Sequence, residues 1–330
     1  MNEYNKSAAE ISKGDTPVIC LSESEVVELL DPEELIAGLE QGFVALSQGK
    51  VQAPDRPEIT VPGKGFSLAM PAWVPGMNIA VKIVNVYEGN LDLGLPNHLA
   101  TITLYDPDTG QLLCVMDGTH ITAIRTAAAA IVSVKALARA DAKIATIIGA
   151  GVQGREHLKL LPLVRDFEEI RIASLRFEDA EKLASLHPRA FAISNVEEAV
   201  RSSDVVCLSS HSYEPIIKTD WVSNGTHVSS VGYAPPAGEL PVELARDHAL
   251  FVESPDAFEQ PPVGCGELAG LDSTAGTPLG DVLSGARSGR TSGVQITVYK
   301  AMGIAMEDMV AANIAYRRAI QNSAGSQIVL

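Results

Sequence analysis

Thr146-Ile147-Ile148-Gly149-Ala150-Gly151-Val152-Gln153-Gly154 is the stretch that decides the fold. An apolar strand runs into glycines spaced G-x-G-x-x-G, and the residues that follow read as the opening of a helix. Each glycine answers a separate demand. The first permits the tight turn, the second lets backbone approach a pyrophosphate, and the third lets helix pack closely on strand. The pyrophosphate then meets free N–H groups and the positive dipole end of a helix N-terminus. With strand, turn and helix all in place, the stretch specifies a dinucleotide-binding unit with Gly149, Gly151, Val152, Gln153 and Gly154 at the cofactor.

Downstream, strands read at 144–148, 169–174, 205–209, 227–231 and 250–252 alternate with helical segments. Such alternation implies βαβ units and a Rossmann-type, doubly wound parallel sheet, an α/β fold. Cofactor choice depends on the end of the second strand, where an acid about 20 residues beyond the glycines would hold the ribose 2′-OH of NAD. That strand ends Ile172-Ala173-Ser174-Leu175-Arg176, with no acid before Glu178. Arg176 is either a solvated surface charge or a partner for a 2′-phosphate, and the missing acid favours NADP(H) over NAD(H). Ser174 and Ser209, at the ends of the second and third of these strands, complete the expected cofactor set.

Upstream the texture differs. Short runs at 66–69, 79–84, 100–105 and 112–116 are divided by Pro and Gly, and Asp106-Pro107-Asp108-Thr109-Gly110 is a hairpin turn. This is a mostly antiparallel region. Asp31-Pro32-Glu33-Glu34 opens a helix before it, with Asp as N-cap and Pro at the first helical position. A long Ala-rich helix spans 119–140, and 297–315 and 315–321 also read as helix. The expected division is a leader at 1–16, an α+β substrate and dimerisation domain at 17–130, rejoined by a helix at 310–330, and the dinucleotide domain at 131–309.

The chain has 330 residues, with 25 Lys+Arg against 41 Asp+Glu, a net charge of −16. That balance argues against a nucleic-acid partner and against electrostatic attachment to an anionic membrane. Aromatics are 5%, so Ala, Val, Ile and Leu must build the core. Cys20, Cys114, Cys207 and Cys265 are scattered with no CxxC pair, so no metal site is expected. No signal peptide and no run of about 18 apolar residues is evident. The expected setting is the cytoplasm, with reduced thiols.

Three cations stand where the pattern does not want them. In 78–84, Ile79, Val81 and Ile83 share one strand face, while Lys82 shares the other with Ala80 and Val84. A cation on so apolar a face either snorkels to water or meets an anion. Arg125 lies in a helix with almost no polar side. Its planar fork suits either capture of a ligand carboxylate or an internal salt bridge. Arg56 sits in a Pro-flanked loop. Together with the glycine turn, the three suggest a small anionic substrate held against a nicotinamide. His98, after Leu-Pro-Asn, is the one histidine placed to reach a cleft; His120, His157 and His227 read as structural.

These residues, in this order, resemble the ornithine cyclodeaminase/μ-crystallin family. The resemblance rests on Val81-Lys82-Ile83-Val84-Asn85, Gly94-Leu95-Pro96-Asn97-His98, the Asp106 turn, Met116-Asp117-Gly118-Thr119 and Thr122-Ala123-Ile124-Arg125-Thr126. The glycine turn, Gly289-Arg290-Thr291-Ser292 and the run from Tyr299 to Asp308 complete it. It implies a Rossmann domain, a substrate and dimerisation domain, and a homodimer. It also implies that Arg56, Lys82 and Arg125 bind the substrate carboxylate and orient its imine, with Lys82 catalytic.

One departure is informative. The cyclodeaminases carry an aspartate two residues after a glycine beyond the fourth Rossmann strand, where it handles the substrate amine. Here Val231-Gly232-Tyr233-Ala234 places Ala234 at that position, and no Asp occurs between Val231 and Leu240. Cyclisation of ornithine needs a base to activate its amine, whereas reduction of an already cyclic ketimine does not. The expected function is therefore NAD(P)H-dependent reduction of the C=N bond of Δ1-pyrroline-2-carboxylate or Δ1-piperideine-2-carboxylate, giving L-proline or L-pipecolate. The alternatives are ornithine cyclodeaminase, an alanine or opine-type amino acid dehydrogenase, and a non-enzymatic ligand-binding protein.

Overall fold

The computed structural model describes residues 17–329. The leader expected at 1–16 lies outside them. The chain enters through β1 (Val18–Leu21), α1 (Glu23–Leu29) and α2 (Pro32–Ser47). Both helices start on side-chain caps, as their sequences demand: Ser22 and Glu25 form a capping box, and Asp31 accepts the Glu34 N–H. An antiparallel meander follows, of β2 (Glu58–Val61), β3 (Gly65–Ala72), β4 (Ile79–Val86), β5 (His98–Tyr105) and β6 (Leu112–Asp117). The four strands read in the sequence are all present and somewhat longer. β2 is an additional strand: its Glu-Ile-Thr-Val alternation is only four residues long and exposed throughout, too short a run to mark a strand. The Asp106 turn forms as expected, its side chain accepting from the N–H groups of Asp108 and Thr109.

The faces of β4 separate as the alternation requires. Ala80, Lys82 and Val84 are buried under the helices, while Ile79, Val81 and Ile83 point outward, half-buried or exposed. Next comes α3 (Thr119–Leu137), whose first N–H bonds Asp117 Oδ1. By length and composition alone α3 would cross a membrane. Here it is a core helix, packed on α1, α2 and β5.

The second sheet is wholly parallel. Its strands are β7 (Ile144–Ile148), β8 (Glu169–Ala173), β9 (Ala190–Ala192), β10 (Val205–Leu208), β11 (His227–Ser230), β12 (Ala249–Val252), β13 (Gly276–Pro278) and β14 (Thr297–Lys300). Helices α4 (Val152–Leu160), α5 (Phe177–Ala184), α6 (Val196–Val200), α7 (Val242–Asp247) and α8 (Leu279–Leu283) connect them. The spatial order is β13-β12-β14-β11-β10-β7-β8-β9. The winding reverses between β7 and β10, and ligands of open α/β sheets bind at the strand C-termini beside such a reversal.

One expectation fails here. Residues 297–315 are not one helix: β14 occupies 297–300, buried between β11 and β12. A short, fully buried apolar run carries no periodicity that separates strand from helix. The helix proper is α9 (Ala305–Asn322), continuous through residue 315, and Gly303 at φ +74° makes the turn before it. α9 lies across β3, β4 and β5, and β15 (Ser326–Ile328) then pairs antiparallel with β1. Residue 130 falls inside α3, which touches β5 in one sheet and β11 and β14 in the other.

Candidate active site

The glycine turn joins β7 to α4. Gly149 has φ +115°, and a Cβ there would lie 2.5 Å from Ser209 O. A Cβ on Gly154 would overlap Gly149 O, so only glycine lets α4 approach its strand this closely. A Cβ on Gly151, at the N-cap of α4, meets nothing within 4 Å. The middle glycine thus faces open space at a helix N-terminus, the cradle a dinucleotide diphosphate requires. Val152 is exposed beside it.

The other expected cofactor residues divide. Ser174 is half-buried at the end of β8, and Arg176 is exposed and paired with Asp179 at 2.6 Å. Ser209 and Gln153 turn their side chains to the protein itself. The Ser209 hydroxyl donates to Ile148 O and Gly149 O, and Gln153 Nε2 donates to Ala123 O on α3.

Between the two sheets the folded chain brings Lys82 and Arg125 together. Both are buried, at 1% and 5% exposure. Asp308 on α9 joins them: Lys82 Nζ lies 2.6 Å from Asp308 Oδ2, and Arg125 Nε donates to Asp308 Oδ1 at 3.0 Å. Arg125 also donates to Glu307 Oε2 at 2.6 Å. The internal salt bridge is therefore formed, while the guanidinium's NH2 group has no partner among the described residues. Burial pushes the Lys82 ammonium down to about 8, with Arg125 adding to the shift and Asp308 opposing it. Burial also disfavours the Arg125 charge, but Asp308 and Glu307 outweigh it and hold the guanidinium above its ordinary value. Gly303 makes the approach possible, since a Cβ there would lie 2.6 Å from Arg125 NH1.

The loop after β11 is held at the C-terminal ends of the second sheet's strands. Glu239, fully buried, accepts from Ser210 N, Ser210 Oγ, Ser230 Oγ and Gly232 N. It thereby ties together the C-terminal ends of β10 and β11. Lys300, at the end of β14, donates to Gly232 O at 2.6 Å and to Glu267 at 2.8 Å. The loop these groups hold presents Ala234, which is buried. Arg56, in the loop before β2, is half-buried and donates to Val263 O at 3.3 Å, near enough to act on Tyr233. His98 begins β5 rather than lying in a loop, and feels the charges of His211 and Lys82. His227 is buried, bonded to Ser133 and Thr297, and held neutral by burial, a structural role.

Glu253, Glu307, Asp308, Glu239 and Lys300 had no role assigned from the sequence. Two acids opening a helix look like ordinary complements to its dipole. The one available signal was that the rest of that helix turn is apolar.

The ornithine cyclodeaminase/mu-crystallin family model matches residues 18–323. The ketimine reductase mu-crystallin of Mus musculus is 36% identical over 304 residues, covering 90% of this chain and 96% of that protein. The Δ1-pyrroline-2-carboxylate reductase of Thermococcus litoralis, solved with NADH and L-proline, superposes with a TM-score of 0.87 at 34% identity, covering 94% of this chain and 100% of that one. An archaeal alanine dehydrogenase, solved as a dimer with bound NAD, gives 0.85 at 31% identity, covering 95% and 99%. The glycine cradle, the buried Lys82–Asp308–Arg125 cluster and the family match over residues 18–323 agree: the protein belongs to the ornithine cyclodeaminase/mu-crystallin family.

Proposed function

We propose that this nicotinamide-dependent oxidoreductase reduces the C=N bond of a cyclic α-imino acid, Δ1-pyrroline-2-carboxylate or Δ1-piperideine-2-carboxylate, to L-proline or L-pipecolate. The observation that carries the reading is the pairing of buried Lys82 and Arg125 through Asp308, taken together with Ala234, which has no ionisable side chain where a cyclodeaminase would need one. The pocket supplies cations for a carboxylate and an acid for a nitrogen, and Ala234 supplies no base to activate an attacking amine.

The chain's own residues then act as follows. Arg56 and the free NH2 group of Arg125 hold the substrate carboxylate and fix the ring, and orientation of this kind accounts for much of a rate enhancement. Lys82 donates its proton to the imine nitrogen; with its ammonium lowered to about 8, it is mostly protonated at neutral pH yet gives the proton up readily. Asp308 keeps the ammonium aimed and its charge partly balanced. Gly149, Gly151, Val152, Gln153 and Gly154 would hold the diphosphate of a nicotinamide dinucleotide, whose ring would supply hydride for the imine carbon. Together, one hydride and one proton convert C=N to CH–NH.

NADPH is the preferred donor on this reading, because β8 ends without an acid and Arg176 stands there exposed. Arg176 exchanges Asp179 for the 2′-phosphate, Ser174 stands beside it, and Ser209 shapes the turn. The outward apolar residues Ile79, Val81 and Ile83, with exposed Ile59 and Val61 on β2, form the face on which a second copy packs. Ile83→Asp separates that homodimer in sedimentation; an unchanged mass would reject the face.

The deciding assay is oxidation of NADPH and NADH with Δ1-pyrroline-2-carboxylate, run beside ornithine plus NAD assayed for ammonia. Consumption of NADPH supports the reading, and ammonia released from ornithine overturns the inference from Ala234. The alanine dehydrogenase likeness favours a second reading, reductive amination of pyruvate, which the same assay tests with pyruvate and ammonium.

A further inference from the structure

Glu253 follows directly on β12, and Glu307 stands in the first turn of α9; both are buried. Glu253 Oε2 accepts from the N–H groups of Met302 and Gly303, each at 3.0 Å. Glu307 Oε2 accepts from Arg125. The remaining oxygens, Glu253 Oε1 and Glu307 Oε1, are buried with no donor, and the Glu253 carboxylate is close enough to raise the Glu307 carboxyl. Two ionised carboxylates facing one another away from water repel, and each keeps an unsatisfied acceptor. One proton between the two oxygens removes both penalties, because a protonated carboxyl is a donor.

We propose that Glu253 and Glu307 share one proton behind Arg125, and that this proton sets the charge of the pocket that receives the substrate carboxylate. The inference rests on the reading of Arg125 as the carboxylate anchor. With the pair carrying a single negative charge, it and Asp308 balance Lys82 and Arg125. With both ionised, the buried cluster carries one negative charge in excess, which offsets Arg56 and weakens the hold on an anion.

The groups facing the pair are Arg125 on α3, Lys82 on β4, Asp308 on α9, Tyr299 on β14 and Cys265 in the loop beyond β12. Tyr299 and Cys265 are both pushed upward by burial and add no charge, and the buried Tyr299 hydroxyl also faces Glu253. Burial first, and then Glu253, holds the Glu307 carboxyl well above the usual range against the pull of Arg125. Glu253 and Glu307 are positioning residues, acting on substrate through Arg125.

Two measurements test the pair. Infrared difference spectra of the wild-type protein at neutral pH show the carbonyl stretch of a protonated carboxylic acid, and Glu253→Gln and Glu307→Gln each remove it. Absence of the band in the wild type, or its persistence in both variants, overturns the proposal. The second is the Kd of pyrrole-2-carboxylate, a planar cyclic anion, measured with NADH present. Glu253→Gln substitutes an amide N–H for the shared proton at constant charge, so affinity shifts by less than about threefold. If both groups were ionised, the same substitution would delete a charge and tighten binding by about tenfold or more, refuting the shared proton. Failure of the wild type to bind that anion or L-proline at any pH would instead strike the carboxylate-anchor reading, and the infrared band would still report on the pair.

Discussion

Replacing Asp308 by Asn perturbs the ionisation of Lys82 by an amount the geometry bounds from below. Lys82 Nζ and Asp308 Oδ2 are 2.6 Å apart. Even at the dielectric constant of bulk water, two unit charges at that distance attract by about 1.6 kcal/mol, equal to about 1.2 pH units. In the buried pocket the attraction exceeds that floor. Burial and Arg125 already push the ammonium down to about 8, and Asp308 is the main group opposing them. Without it the pKa falls to about 7 or lower. The assay is kcat/KM for NADPH-dependent reduction of the cyclic imino acid against pH, which reports groups of the free enzyme. The wild type has its first alkaline break near 8 and stands at about half its plateau there; the variant stands at about one-seventeenth of its own plateau at that pH. Normalising each profile to its plateau removes any uniform loss caused by freeing Arg125 Nε. If the variant's break stays near 8 or moves upward, Lys82 is not the acid.

Three further outcomes follow from other parts of the structure. Arg176→Ala raises KM for NADPH by about tenfold, the loss of one charge-assisted contact, and leaves NADH nearly untouched; equal effects on both cofactors would reject Arg176 as a phosphate reader. Gly154→Ala forces a Cβ into Gly149 O, so overpacking costs about 1–3 kcal/mol in urea unfolding and NADH affinity collapses with the turn; a variant that binds NADH normally contradicts the close packing. Acid sensitivity comes from His227 and His157, which burial pushes down to about 3 and about 4. Their unfolded forms take up protons near the ordinary value of 6.5, so between that value and about pH 4 the unfolded state binds more protons and stability falls with falling pH. The two together give about 2.7 kcal/mol per pH unit. Equal urea midpoints at pH 5 and 6 would refute it, and His227→Asn halves the slope.

Much of this architecture was local in origin and therefore legible. The G-x-G-x-x-G turn, the Asp31 cap, the Asp106 hairpin and the alternation placing Lys82 opposite Ile79, Val81 and Ile83 each depend on neighbours within a few residues. What was not legible involved short buried runs and partners far apart in sequence. β14 carries no periodicity because both its faces are covered, so Thr297 to Lys300 read as helix in the sequence, although they form a strand between β11 and β12. Ser209 and Gln153 stand where a cofactor contact was expected, yet spend their side-chain donors on the protein.

The dinucleotide turn, the three misplaced cations, the family resemblance and the missing aspartate of a lyase are all properties of local stretches of residues. What those cations meet depends on distant segments that come together only on folding. Lys82 and Asp308 are separated by most of the chain, and α9 must return from the second sheet and lie across the first before they touch. Glu253 and Glu307 likewise become a pair only when β12 and the first turn of α9 converge on Arg125. A buried charge is tolerable only with its partner present. The sequence could therefore show that Lys82 and Arg125 needed anions, while packing alone chose Asp308 and Glu307 to supply them.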